Sequence, residues 1–243
     1  MKNIFVGTLF NGEAEFQQHS EIINRQKNVV VKHHVIKNLD EYGAHKKLWS
    51  DWADAKEKFD VFVKIDADTV LKDEYSLSNI GLLFDDPKVT GAQIKIHDYF
   101  SNSLISGLNC FSPEVLFKKK VSRLTPDKVD YNHKIVLKGF STEQLEPIAF
   151  HCLTPNIKQS FFYGYHRTLK NQKPLMQLVA RIWQNEKDLA REWALRGAFL
   201  ASKSKYRKFY FRSLLTNRQI ENAESIEIST LSKFANEITT GVQ

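Results

Sequence analysis

Val61-Phe-Val-Lys-Ile-Asp66-Ala67-Asp68-Thr-Val-Leu71 is the stretch on which the reading of the chain turns. Its first residues are β-branched or aromatic, apart from Lys64, and predict a buried strand. The strand then runs straight into two carboxylates separated by one small residue. Like charges this close repel, and burying either is costly unless a cation or hydrogen bonds compensate. A hard divalent ion supplies that compensation, because Mg²⁺ or Mn²⁺ takes one or two carboxylates together with phosphate oxygens. Asp-x-Asp alone is also common as a solvated turn, so the neighbouring sequence has to decide between the two.

Upstream, Lys2 to Leu9 is a short apolar run that ends in the turn pair Asn11-Gly12. Glu13 to Gln26 predicts a helix, Val29 to Ile36 a β-branched strand, and Glu41 to Lys58 a helix anchored by Leu48, Trp52 and Phe59. Downstream, Tyr75 to Phe84 predicts a helix and Val89 to Ile96 a strand. Strand–helix alternation of this kind predicts an α/β fold, with a mostly parallel sheet flanked by helices. Ligands bind such sheets beyond the carboxyl ends of the strands, where the third strand delivers its aspartates.

Ser112-Pro113-Glu114 has the pattern of a helix N-cap with proline at the first helical position. Residues 121–140 show no assignable pattern. Ile148 to Cys152 is a short apolar run bearing His151. Beyond Pro174 the chain reads as helix, with Leu175, Leu178, Val179 and Ile182 at helical spacing. The expected division is a catalytic domain over 1–174 and a helical C-terminal appendage over 175–243.

A length of 243 residues suffices for one substantial α/β domain with a small appendage. Hydrophobic residues at 42% and charged residues at 26% exclude a disordered chain. Two cysteines, Cys110 and Cys152, make neither a disulfide framework nor a thiolate cage by themselves. The opening MKNIFVGTLFNGEAEF turns polar too soon for a signal peptide, and no run approaches the ~20 apolar residues of a membrane span. A cytoplasmic location is expected. The net charge of +7 calls for an anionic partner. That charge concentrates between Lys203 and Arg218, which hold six Lys/Arg and no Asp or Glu, interleaved with Tyr206, Phe209, Tyr210 and Phe211.

The strand, Asn11-Gly12-Glu13, the second strand and then Lys64-Ile-Asp66-Ala-Asp68 together resemble the GT-A glycosyltransferases, in particular bacterial family-2-like enzymes. The segment from His151 through Tyr163-Gly164-Tyr165-His166-Arg167 to Lys170 resembles a block found downstream in bacterial members. The resemblance spans roughly residues 1 to 172 and implies a Rossmann-like GT-A fold, a nucleotide-diphosphate-sugar donor and a Mn²⁺ or Mg²⁺ ion. It implies Asp68 as the direct metal ligand, with Asp66 on the ribose or a metal-bound water and a downstream histidine completing the shell. His151 is the candidate for that histidine. Neutral imidazole suits a transition ion, although a histidine closing an apolar strand is also often satisfied by backbone. Cys152 beside it reads as packing, since a thiolate is too soft for Mg²⁺ or Mn²⁺.

Leu9, Asn11 and Glu13 stand where the nucleotide would lie, with Lys64, Asp66 and Ala67 alongside. Glu13 is equally an ordinary first-turn glutamate. His166, Arg167 and Lys170 would share a helix face suited to neutralising a diphosphate leaving group, or else form a solvated basic face. Tyr163-Gly164-Tyr165 reads as a turn close to substrate. For the catalytic base, Asp98 is the first candidate and Asp130 the second, with Asp127 and Glu143 also in range. The Glu-Asp pair of many family-2 enzymes is missing, which leaves inversion or retention open. The acceptor expected is a glycan or a lipid-linked precursor of a surface polysaccharide. The 203–218 stretch would then touch anionic membrane at the inner face of the plasma membrane, and no nucleic-acid partner is expected. Two rivals use the same features. A nucleotidyltransferase would hold a nucleoside triphosphate on the aspartates, and a basic nucleic-acid-binding protein would carry them as a plain turn.

Overall fold

The structure, a computed structural model, describes residues 1–117, 129–130, 136–140, 147–204 and 217–241. By packing, the chain forms two compact units. The first comprises Met1–Tyr99 and Ser103–Leu153, and the second Phe100–Asn102 and Thr154–Gln243.

In the first unit, β1 (Lys2–Phe10), α1 (Phe16–Asn24), β2 (Val29–Lys37), α2 (Glu41–Ala55) and β3 (Val61–Lys64) follow the expected alternation. β4 (Thr69–Leu71), α3 (Ser76–Leu82), β5 (Gly91–Asp98), β6 (Ser103–Phe111), β7 (Leu116–Phe117), β8 (Val129–Asp130), β9 (Val136–Phe140) and β10 (Ala149–His151) complete it. The main sheet runs β2-β1-β3-β6-β5-β10-β4. β1 pairs in parallel with both β2 and β3, and β5 pairs in parallel with both β9 and β10. β6 is antiparallel to β3 and β5, and β4 is antiparallel to β10. β9 takes the first half of one edge of β5, and β10 takes its last two residues.

β3 is buried along its whole length, as a strand covered on both faces must be. Phe62 on β3 stacks on Trp52 of α2 at 5.1 Å, inside a cluster with Phe5, Leu48, Trp49 and Phe111. Each such aromatic contributes about 2–3 kcal/mol through area removed from water. Asp40 caps α2 by accepting from the Gly43 amide at 2.7 Å. β3 is thereby clamped between β1 and β6, and its carboxyl end is fixed in space.

One expectation fails here. Ser112-Pro113-Glu114 opens no helix but forms a turn, closed by the Val115 amide donating to the Ser112 carbonyl at 3.2 Å. Val115 is drawn into the Trp52–Phe62 cluster, and the chain continues as β7 against β8. Packing of one apolar side chain overrides the local capping signal.

The second unit holds α4 (Ile157–Leu169), α5 (Lys173–Glu186), α6 (Leu189–Lys203), α7 (Asn217–Glu224) and α8 (Ile228–Thr240). α4 therefore packs with the C-terminal helices, upstream of the Pro174 division suggested by the sequence. The buried stripe of α5 is Met176, Val179, Ala180 and Trp183, rotated from the expected set, which shares only Val179. Asn156 caps α4 in a reciprocal capping box with Gln159. Gly164 lies within α4 rather than in a turn, and its close approach is to α6 rather than to a substrate. Among the described residues no helix is long and apolar enough to cross a membrane. Residues 205–216, most of the basic-aromatic stretch, lie outside the described ones.

α4 and α6 touch backbone to backbone. A Cβ added at Gly164 would stand 1.7 Å from the Ala194 carbonyl oxygen, and one at Gly197 would stand 2.1 Å from that of Phe161. Neither oxygen can swing aside as a side-chain end can. Gly164→Ala should therefore destabilise the protein by at least about 1–3 kcal/mol, read as a lower urea midpoint at unchanged m-value.

Candidate active site

Backbone pairing assembles the site. The parallel ladder of β3 with β1 continues one residue further through the Ile65 amide, which donates to the Gly7 carbonyl at 3.1 Å. The chain then turns, with the Thr69 amide donating to the Asp66 carbonyl at 3.0 Å. Ile65 and Ala67 are fully buried and anchor this bend. Asp66 and Asp68 alternate with them and emerge partly exposed, with side-chain exposures of 47% and 20%.

β10 lies between β5 and β4, and its register places His151 beside Asp98 on one side and Thr69 on the other. One residue on, the Cys152 amide donates to the Asp68 carbonyl at 2.7 Å, so Cys152 faces Asp68 across the ladder. Three adjacent strands thus align Asp98, His151 and the Asp68 bend. His151 Nδ1 donates to Asp98 Oδ1 at 2.7 Å, and His151 Nε2 lies 3.6 Å from Asp68 Oδ2. Cys152 Sγ lies 3.5 Å from His151 Nε2 and 3.7 Å from Asp68 Oδ2.

Among the described residues, one group of His, Cys, Asp and Glu is arranged to hold a metal ion. It is Asp68, His151 and Cys152, whose donor atoms all lie within 4.8 Å of one another. A carboxylate, an imidazole and a thiol are donors that fit a first-row divalent ion. Asp66 is not in this group, and its Oδ1 accepts from Lys64 Nζ at 2.8 Å. Enclosure alone would raise the Asp66 pKa, but the Lys64 ammonium outweighs it and holds the carboxyl below its usual value. Burial likewise disfavours a charged His151. Cys152, Asp68 and Asp98 together reverse that and raise its pKa well above the ordinary 6.5. Burial pushes the Cys152 thiol up to about 12.

The other sequence candidates fall in different places. Asp98, the first candidate for the base, is fully buried and bonded to His151. Asp130 lies on β8, but its side chain, like Asp127 and Glu143, lies outside the described residues. Glu13 Oε2 accepts from the Asn11 amide at 2.5 Å, which shapes the loop after β1. Leu9 packs partly against the Trp52 cluster. His166 and Arg167 lie in the last turn of α4 and Lys170 caps it, so the expected helical face exists. Arg167 donates to Gln172 at 2.9 Å and lies 5.0 Å from the Tyr163 ring centre. All three belong to the second unit, and the cluster in the first is built without them.

Cys152, which reads as packing in the sequence, stands beside His151 and Asp68. One feature escaped the sequence reading, a buried polar chain behind the bend. His19 Nδ1 donates to the Thr69 carbonyl at 2.6 Å, and His19 Nε2 meets Thr8 Oγ1 at 2.9 Å. His33 Nε2 reaches the same hydroxyl at 3.1 Å. One proton arrangement satisfies all three contacts, with Thr8 donating to His19 and accepting from His33. α1 is thereby pinned to the residue that follows Asp68.

Burial first, then repulsion from His19 and His34, lowers the His33 pKa to about 4. The unfolded chain takes up that proton near pH 6.5, so between pH 6.5 and 4 it binds more protons than the folded state, and stability falls as pH falls. Because the His33 ring is partly open to solvent, which screens the effect, the loss from this residue should be about 1 kcal/mol at pH 4. His33→Gln should flatten the acid limb, as followed by thermal melts across this window.

No protein-family model matches the sequence, and no curated protein matches it. Among solved structures, the chain is similar to the mannosyltransferase PcManGT from Pyrobaculum calidifontis in complex with GDP-Man and Mn²⁺. The identity is 14% over 97% of this chain and 84% of that one, with a TM-score of 0.46. It is similar to a glycosyltransferase involved in glycosylation of the major capsid of PBCV-1, at 12% identity over 45% of this chain and 59% of that one, with a TM-score of 0.32. It is also similar to A197 from STIV, at 9% identity over 54% and 70% of the two chains, with a TM-score of 0.34. Two of these fall in the class that the sequence resemblance named, at a level of likeness that carries no argument about what this chain does.

Proposed function

We propose that the chain is a metal-dependent glycosyltransferase of the GT-A type. It would move a sugar from a nucleotide-diphosphate sugar to a glycan or lipid-linked acceptor of surface polysaccharide synthesis. The observation that carries this reading is the alignment of Asp98, His151 and Asp68 at the carboxyl end of β3. A buried carboxylate bonded to the far nitrogen of a histidine fixes the tautomer that a metal ligand needs. It presents Nε2 toward Asp68, and the two residues would hold a divalent cation, which would supply positive charge to a diphosphate leaving group.

The remaining residues take roles that follow from their contacts. Asp98 holds His151 in orientation and leaves the part of general base to Asp130. Lys64 keeps Asp66 ionised and directed toward the ribose hydroxyls or a metal-bound water. Leu9, Asn11, Glu13 and Ala67 border the nucleotide, with the Glu13 carboxylate shaping the loop that receives it. The 203–218 stretch supplies peripheral contact with anionic lipid.

Asp68→Ala tests the reading at its centre. Calorimetric titration with UDP or GDP in the presence of Mn²⁺ should show binding to the wild type and at least roughly tenfold weaker binding to the variant. The melting temperature without ligand should stay close to that of the wild type, since Asp68 is at the surface of the bend. Unchanged affinity in a folded variant would remove the proposal.

A further inference from the structure

We infer that Cys152 is the third protein ligand of the cation site, and that its thiolate turns the site away from Mg²⁺ toward a sulfur-binding ion of the Zn²⁺ and Co²⁺ class. The inference rests on the proposed metal role of Asp68 and His151, and it adds the identity of the ion.

The first support is backbone conformation. His151 and Cys152 are consecutive, and in an extended strand consecutive side chains point to opposite faces. Here both donor atoms face Asp68, because Cys152 adopts a left-handed backbone with φ of 54°. Residues other than glycine and asparagine rarely hold that conformation. Its effect here is to bring Sγ to 3.5 Å from His151 Nε2 on the same side of the ladder. The Cys152 amide bond to the Asp68 carbonyl, at 2.7 Å, then sets the sulfur across from the aspartate.

The second support is metric. Zinc-like bonds are about 2.3 Å to sulfur and about 2.0–2.1 Å to nitrogen or oxygen, so tetrahedral angles separate sulfur from nitrogen or oxygen by about 3.6 Å and nitrogen from oxygen by about 3.3 Å. Right angles at the same bond lengths would bring sulfur and nitrogen to about 3.1 Å. The separations here are 3.5 Å for Sγ to Nε2, 3.7 Å for Sγ to Oδ2 and 3.6 Å for Nε2 to Oδ2. This triangle fits one face of a tetrahedron better than an octahedral edge set. Three protein ligands leave a fourth position, which is the arrangement of catalytic zinc sites and the place for a diphosphate oxygen. Mg²⁺ demands oxygen ligands in near-octahedral array and is poorly served by this donor set.

Co²⁺ is the probe that reports sulfur ligation directly, because a cobalt–thiolate bond gives a near-ultraviolet charge-transfer absorption. Full-length protein titrated with Co²⁺ should develop that band, and Cys152→Ser should lose it while keeping its far-ultraviolet circular dichroism. Zn²⁺ affinity in the variant should fall at least roughly tenfold, since even outer-shell changes cost 10–100-fold. Cys110→Ser leaves Cys152 as the sole thiol and should keep the band, which decides the matter even if Cys152→Ser fails to fold. Co²⁺ binding without the band, or a band that survives in folded Cys152→Ser, overturns the role of Cys152 and leaves Asp68 and His151 as ligands. Absence of Co²⁺ and Zn²⁺ binding to the wild type overturns both this inference and the metal site itself.

Discussion

Asp98 has no exposed surface, yet it carries a carboxylate, and the rest of the site follows from how that charge is accommodated. A lone ionised carboxylate in the interior is untenable, so a proton donor has to lie against it. His151 Nδ1 fills that need at 2.7 Å, and the imidazole thereby turns Nε2 toward Asp68. A single buried hydrogen bond therefore fixes which histidine nitrogen faces the bend and in which direction. Without a cation, the cluster of acids around His151 favours the imidazolium, as its raised pKa shows. A divalent ion held at Nε2, as proposed, would compete with that proton, and its uptake would be coupled to proton release.

Much of the first unit was legible in the sequence. β1, β2 and β3 and the helices between them follow from apolar runs and turn residues, and Leu48 and Trp52 lie in the core as their spacing predicted. The Asp66-Ala67-Asp68 bend was legible for the same reason, since an apolar strand ending in paired acids leaves a clear trace. His151 was legible only as an apolar run closed by a histidine. The partnership with Asp98 was not, because residues 53 positions apart are joined by strand register, which one sequence does not display. β4, at three residues, is too short to show any period.

Cys152 reads as packing in the sequence, since a thiolate is too soft for Mg²⁺ or Mn²⁺. Its left-handed backbone, which turns the sulfur to the side of His151 and Asp68, leaves no local trace. Tyr163-Gly164-Tyr165 reads as a turn near substrate, and the structure makes it helix. The glycine does permit close approach, but the surface approached is the α6 backbone, and no local signal separates one use from the other. Ser112-Pro113-Glu114 had a sound capping pattern that lost to the burial of Val115.

The edge of β5 shared by β9 and β10 bears on how the protein comes into being. Asp98 leaves the ribosome long before the strand that partners it, and Asp68 precedes Cys152 by 84 residues. A nascent chain that has emerged only through β6 holds Asp98 and Asp68 with no imidazole between them. Contacts of such long sequence separation form late, because loop closure must precede them. The side chains that meet at this corner are thus supplied from opposite ends of the first unit, and the corner stays purely acidic until β10 is made and paired.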